Sequence, residues 1–202
     1  MKIKTEKELI RKQMAQKRNS LSQNELLKKS ALIGEKLFSL NEFKAAKNIL
    51  FYMSLEKEVQ TWDMICYSHK LSKQIFLPLV LKNRHHLDIA RLRNIETPFI
   101  TGSFGVKEPE YGSYDLVEPK ELDLIVAPGL AFDYQGGRLG FGKGYYDRLF
   151  ANGSPNTLRF GVALDFQVIS TLPQSKDDLP VHLVATEKRV ILCNPNSLIG
   201  SI

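Results

Sequence analysis

The stretch Leu124–Phe150, LIVAPGLAFDYQGGRLGFGKGYYDRLF, constrains this chain more than any other. An apolar run from Leu124 to Ala127 reads as a buried strand, broken by Pro128-Gly129. A loop follows with five glycines between Gly136 and Gly144, carrying Arg138 and Lys143, and a helix is expected from Tyr145 with Asp147 in its first turn. Strand, glycine-rich loop and helix together suit an anion site, because glycine lets the backbone approach a phosphate and free N–H groups point outward at a helix start. Arg138 has the fork to grip phosphate oxygens, Lys143 is a point charge, and Asp147 is an oxygen ligand of the kind Mg²⁺ takes. Gly140, Gly142 and Gly144 are spaced G-x-G-x-G, which is neither a P-loop nor a dinucleotide fingerprint. On spacing alone, a solvated surface loop competes with a phosphate site. The two tyrosines and the aspartate that follow Gly144 favour the site.

The remaining chemistry narrows the class. At 202 residues, 43% hydrophobic and 25% charged, the chain has the material for one soluble domain with a core. It contains no apolar run long enough to span a bilayer, and its N-terminus lacks the apolar segment of a secretory signal, so a cytoplasmic protein with no membrane role is expected. Cys66 and Cys193 stand far apart without metal-ligand spacing and read as reduced thiols. His85-His86 reads as a solvated pair on a polar stretch. The net charge of +6 raises the question of nucleic acid, yet residues 1–36 carry ten Lys/Arg against four Glu and leave the rest near neutral. That arm has no aromatic residues interleaved with its cations, so no nucleic-acid partner is expected.

Along the chain, residues 5–19 have helical periodicity: Ile10, Met14 and Leu21 fall on one side, with Lys7, Arg11 and Arg18 in an adjoining stripe. Such a helix packs on a body while its cations overhang the edge, and a solvated basic flank is the usual fate of such charges. Ser22 and Glu25 spell a capping box for a second helix through about Leu40, with Leu26, Ile33 and Leu37 buried. Residues 48–54 read as a buried strand, followed by a loop holding Glu58 and a helix capped by Thr61. Further strands are expected at 74–80, 87–91, 159–163 and 190–193. This alternation favours a layered α/β architecture with a mainly parallel sheet, in which strand-to-helix loops line a ligand crevice. Read without further context, Glu58 is an ordinary exposed loop acid, Met53 a core side chain and Phe104 a hydrophobic plug beneath the long 94–121 segment.

Taken together, PGLAFD and G-x-RLG-x-G-x-GYYDR resemble the signature of the 5-formyltetrahydrofolate cyclo-ligases, the methenyltetrahydrofolate synthetases. The resemblance runs over nearly the whole chain and implies one domain over residues 1–202, a three-layer α/β/α sandwich of the type shared with sugar-phosphate isomerases and CoA transferases. It implies ATP- and Mg²⁺-dependent closure of 5-formyltetrahydrofolate to 5,10-methenyltetrahydrofolate through a phosphorylated formyl group. Lys7 and Arg11 match the family's K-x-x-x-R contribution to the ATP site, joined by Arg138, Leu139, Gly140, Phe141, Gly142, Lys143, Gly144, Tyr145 and Tyr146. Met53, Glu58, Phe104, Phe141 and Tyr145 match the folate side, Arg138, Lys143 and Tyr145 the catalytic group, and Asp147 with Asp178 the metal pair. Two departures fall in LPQSKDDLPVHLVATE: Asp177 replaces the family's usual His, and His182 replaces a second acid whose role is expected to be structural. A monomer is expected, and the basic N-terminal region would attract the anionic tail of polyglutamylated folate. Rival readings are an enzyme of the same scaffold acting on another N-formyl or amide compound, and a non-catalytic folate or nucleotide binder.

Overall fold

The computed structural model describes residues 2–80 and 86–193, so His85 lies outside the described residues. The chain opens with α1 (Lys2–Asn19), α2 (Gln23–Ser39) and the short α3 (Asn41–Ala45). It continues through β1 (Asn48–Leu50), α4 (Trp62–Lys70), β2 (Gln74–Leu79) and β3 (Asp88–Leu92). A hairpin, β4 (Phe99–Thr101) and β5 (Lys107–Pro109), precedes β6 (Tyr114–Val117) and β7 (Leu124–Ala127). Then come β8 (Ala131–Asp133), β9 (Arg138–Leu139), α5 (Tyr145–Asn152) and β10 (Leu158–Val162). The last described strands are β11 (Val168–Ile169), β12 (Leu183–Ala185) and β13 (Val190–Leu192).

Eight of these strands form one sheet in the order β13-β12-β10-β7-β1-β2-β3-β6. The five strands from β12 to β2 run parallel, and β13, β3 and β6 are joined antiparallel at the ends. Strand residues alternate between two cores. Ile49, Ile75, Leu77, Leu124, Val126, Leu183 and Ala185 face the layer of α2 and α4, where Leu26, Ile33, Leu37, Met64 and Ile65 are buried. Leu50, Phe76, Ile125, Ala127 and Val184 face the opposite layer, where α5 contributes Leu149 and Phe150. A period of two with both faces covered explains why these strands read as continuous apolar runs.

Local signals behave as their chemistry dictates, with two exceptions. The capping box is formed: the Glu25 N–H donates to Ser22 Oγ at 3.3 Å and the Ser22 N–H to Glu25 Oε2 at 3.1 Å. Thr61 stands at the start of α4 but does not cap it with its side chain, because its hydroxyl donates instead to the Tyr52 carbonyl at 2.5 Å. The glycine-rich stretch is not one loop. Its first half folds as the β8–β9 hairpin, which pairs with β11 in a small three-stranded sheet.

The placement of helices fixes the position of the crevice. β1 feeds α4 on one face and β7 leads to α5 on the other, while β1 and β7 are neighbours. The segments leaving their carboxyl ends therefore diverge, and open α/β sheets bind ligands where such connections part.

Candidate functional site

At that divergence lies a cleft of about 450 Å³, within the usual size of a small-molecule site. Its walls come from α1, the segment after β1, the β4–β5 hairpin and the stretch from Pro128 to Asp147, with Pro78 and Val80 at the end of β2, Leu87 before β3, and Asp178 completing them. Every site residue expected from the sequence reaches it: Lys7, Arg11, Met53, Glu58, Phe104, Arg138 through Asp147, and Asp178.

The glycines divide into two jobs. Gly136 and Gly137 belong to the β8–β9 turn, which Asp133 holds: its buried carboxylate accepts from the Gln135 N–H at 3.0 Å, the Gly137 N–H at 2.7 Å and the Leu172 N–H at 2.9 Å. Gly136 has φ of 87°, and a Cβ there would stand 2.2 Å from the Val181 carbonyl oxygen, so no other residue fits. Gly140, Gly142 and Gly144 form the lip of the cleft, exposed at Gly142 and half-buried at the other two, and Gly144 opens α5 in the left-handed conformation with φ of 65°. Lys143 is exposed on that lip, and its carbonyl accepts from Arg148 Nη2 at 2.6 Å.

Arg138 lies beneath the lip with its side chain only 4% exposed. Its Nη1 donates to the Pro128 carbonyl at 3.4 Å and its Nη2 to Asp147 Oδ1 at 3.3 Å, while Nε is buried without a partner. The rings of Tyr146 and Phe150 stack near it at 5.2 and 5.5 Å. Burial works against its charge and lowers its pKa, opposed chiefly by Asp147. The expected open fork is therefore turned inward and shared between a carbonyl and a carboxylate.

The N-terminal helix does not leave Lys7, Arg11 and Arg18 overhanging. Met14 is buried against Ala131, Leu139 and Leu172, which seats α1 on the β8–β9 hairpin and points the basic stripe into the cleft. Lys7 Nζ is ion-paired to the Asp178 carboxylate and donates to Ser175 Oγ at 3.2 Å. Arg11 Nε donates to the Gly140 carbonyl at 2.9 Å, pinning the lip, and Nη1 meets Glu8 at 2.6 Å. Arg18 is nearly buried and lies 3.9 Å from Glu58.

The opposite wall corrects two of the readings made without context. Glu58 is not an exposed acid but 8% exposed, with Oε2 accepting from the Leu55 N–H at 3.0 Å. Burial raises its pKa, against the lowering effects of that N–H and of Arg18. The Gln60 amide holds the loop by donating to the Leu55 and Glu58 carbonyls at 2.9 and 2.7 Å. Phe104 is not a plug: it is 65% exposed at the hairpin tip, with a left-handed φ of 57°. Met53 is partly buried at the edge of the core and still lines the cleft.

Asp147 and Asp178 converge on the same cationic corner, both raising the pKa of Arg138. No group of three or more metal-ligating side chains occurs among the described residues. Two carboxylates suit Mg²⁺, which keeps waters and takes further oxygens from substrate phosphates, so the donor set fits that ion. His182 stands apart from this corner: its Nδ1 accepts from the Arg159 N–H at 3.1 Å, and its Nε2 lies 2.8 Å from the Arg159 guanidinium. Burial, then that guanidinium, lower its pKa to about 4, which leaves a neutral structural ring.

A model of the 5-formyltetrahydrofolate cyclo-ligase family matches residues 3–187. A probable 5-formyltetrahydrofolate cyclo-ligase of Caenorhabditis elegans is 32% identical, the match covering 94% of this chain and 97% of the relative. The mouse cyclo-ligase is 30% identical over 92% of this chain and 95% of its own. Among solved structures, the 5,10-methenyltetrahydrofolate synthetase of Aquifex aeolicus superposes with a TM-score of 0.81 at 36% identity, covering 93% of both chains. That of Mycoplasma pneumoniae superposes with a TM-score of 0.71 at 25% identity, covering 90% of this chain and 98% of the other. The fold and cleft thus define an α/β enzyme with a glycine-rich loop facing a buried acid. The chain belongs to the 5-formyltetrahydrofolate cyclo-ligase family.

Proposed function

We propose that this enzyme uses ATP and Mg²⁺ to convert 5-formyltetrahydrofolate to 5,10-methenyltetrahydrofolate, releasing ADP and phosphate. The observation that carries the reading is the pairing of unlike walls across one cleft: a glycine lip with Arg138, Lys7 and Arg11 on one side, Glu58, Met53 and Phe104 on the other. A triphosphate suits the first, and an aromatic ring system with N–H donors suits the second.

An N-formyl oxygen is a poor leaving group, so the reaction needs activation. The formyl oxygen attacks the γ-phosphorus of ATP, the bond to the β-phosphate oxygen breaks, and ADP leaves. N10 of the folate then attacks the activated formyl carbon. The carbon–oxygen bond breaks, phosphate departs with the electron pair, and loss of the N10 proton leaves the methenyl bridge. The protein's part is positioning and charge neutralisation. Gly140, Gly142 and Gly144 present backbone to the phosphates, and Arg11 fixes that lip through the Gly140 carbonyl. Arg138, Lys143 and Lys7 neutralise phosphate charge, while Phe141 and Tyr145 stand at the boundary between nucleotide and folate. The Tyr146 hydroxyl, buried and without a partner, is a donor for a bound ligand. Asp147 and Asp178 would hold Mg²⁺, whose chemistry there is to neutralise charge on the transferred phosphoryl group. The chain acts as a monomer of one domain in the cytoplasm on small-molecule substrates.

The test is the absorbance of methenyltetrahydrofolate with purified protein, 5-formyltetrahydrofolate, ATP and Mg²⁺. A rise that requires every component is expected. A flat trace from folded protein that still binds ATP would move the reading to another N-formyl or amide substrate.

A further inference from the structure

We propose that Arg18 is a positioning residue that keeps Glu58 ionised for the folate and ties the glycine lip to the folate wall. The inference rests on the folate reading of the Glu58 wall and adds a residue that the K-x-x-x-R pattern of Lys7 and Arg11 does not contain.

Four features of Arg18 carry it. It sits in the last turn of α1, yet its side chain is only 11% exposed, and the Glu58 carboxylate it faces is 9% exposed. Their separation of 3.9 Å is ion-pair range but too long for a hydrogen bond, so Arg18 supplies charge without occupying Glu58 Oε1. Oε2 is already held by the Leu55 N–H, so Oε1 is the oxygen left to accept from a ligand. On its other side the guanidinium lies 5.8 Å from the ring of Phe141, at the centre of the glycine lip. Its Nε is buried without a partner, a cost that a merely decorative surface arginine would avoid by turning outward.

The surroundings of Glu58 make that charge matter. From the segment after β1 it faces Tyr52, whose buried hydroxyl donates to the Val59 carbonyl at 2.8 Å. From α5 it faces Tyr146, also buried and neutral, and from α1 it faces Arg18. Arg18 is thus the only cation set against the Glu58 carboxylate among these groups; burial, the largest influence, favours the protonated acid, and the Leu55 N–H and then Arg18 oppose it. A protonated Glu58 loses most of its capacity to accept N–H donors from a pterin ring.

The experiment compares wild type, Arg18→Gln and Arg18→Lys in two readouts. The first is the pH dependence of kcat/KM for 5-formyltetrahydrofolate, with KM for ATP as the internal control. Arg18→Gln is expected to move the acid limb upward by about one pH unit, a roughly tenfold loss below it. KM for ATP should change less than about twofold, and Arg18→Lys should restore most of the limb. The second is the carbon-13 titration of the Glu58 carboxyl in the whole protein, assigned with Glu58→Gln, which needs no turnover. A Glu58 midpoint raised in Arg18→Gln supports the inference. An unchanged midpoint, or a loss equal at every pH, overturns it. Should wild type make no methenyl product, the substrate reading fails alone, and the titration still decides the role of Arg18. If Arg18→Gln does not fold, Arg18→Met takes its place in both readouts: a raised Glu58 midpoint supports the inference, and an unchanged one overturns it.

Discussion

The cleft has two buried pairs of arginine and carboxylate, and they are built differently. Arg138 and Asp147 lie nine residues apart in one continuous segment, 3.3 Å from each other, with a carbonyl and two aromatic rings completing the cage. Arg18 and Glu58 come from a helix end and a strand-to-helix loop, 3.9 Å apart, and no hydrogen bond joins them. The first pair is closed on itself, the guanidinium shared between the Pro128 carbonyl and Asp147. The second is open by design, holding charge balance while leaving an oxygen for a partner. A site that handles triphosphate charge needs cations kept in place until the anion arrives, whereas a site that reads N–H donors needs an acid kept ionised in an apolar wall.

The largest expected effect breaks the first pair. Arg138→Ala removes the charge beneath the lip and strands the Asp147 carboxylate, and turnover should fall at least about tenfold. Circular dichroism should show retained secondary structure, and wild-type turnover would remove Arg138 from the mechanism. Glu58→Gln breaks the second pair's function while relieving its cost, and KM for the folate should rise about tenfold. Because burial raises the Glu58 pKa in the fold, ionisation opposes folding as pH rises from the ordinary value of 4.5 through the raised one. The Gln variant should therefore have a higher unfolding midpoint than wild type at pH 7 and little advantage below pH 4.5; equal midpoints at pH 7 would contradict the burial argument. Gly144→Ala tests the lip with a smaller change. The left-handed φ costs an alanine about 1–2 kcal/mol, and its Cβ would stand 2.9 Å from Arg148 Nη1. KM for ATP should rise several-fold while KM for folate stays put, and the reverse pattern would reassign the lip.

The smallest effect lies outside both pairs. His182 has its pKa lowered in the fold to about 4, so its neutral form contributes stability that is present above its ordinary value of 6.5 and lost as pH falls through about 4. Wild type should lose thermal stability across that window, and His182→Asp, which supplies an anion to Arg159, should lose less while keeping near-normal turnover. A large turnover defect would tie that ring to the catalytic corner after all.

Several features were legible because their causes are local. The Ser22–Glu25 box needs only its own four residues, and it forms. The strands at 74–80, 124–127 and 159–163 were legible because an apolar run covered on both faces needs no alternation, whereas the expected 48–54 strand is only Asn48–Leu50, and β6 and β12, too short to stand out as runs, were not expected. The glycine lip of the cleft could be recognised because a left-handed backbone favours glycine, as at Gly142 and Gly144, and Arg138, Gly144 and Asp147 are near neighbours in the chain. Less visible was the division of labour among the glycines. Asp133, three residues from the first of them, holds the Gly136-Gly137 turn, and only its position ahead of a glycine pair hinted at that. Thr61 looked like a cap because the sequence shows the residue type and not the competing Tyr52 carbonyl.

Sequence alone thus determined the alternation of strands and helices, the two-faced burial of the sheet, and the glycine lip with its cations, since each depends on the intrinsic conformation or hydrophobicity of residues close together in the chain. Tertiary structure decided that Arg138 points inward, that the basic stripe of α1 folds over the cleft, that His182 serves Arg159, and that Arg18 meets Glu58. Arg138 apart, whose partners are near in the chain, these are contacts between polar or charged groups brought from distant segments into a medium where burial changes their energies, and no local pattern encodes which distant partner will be there.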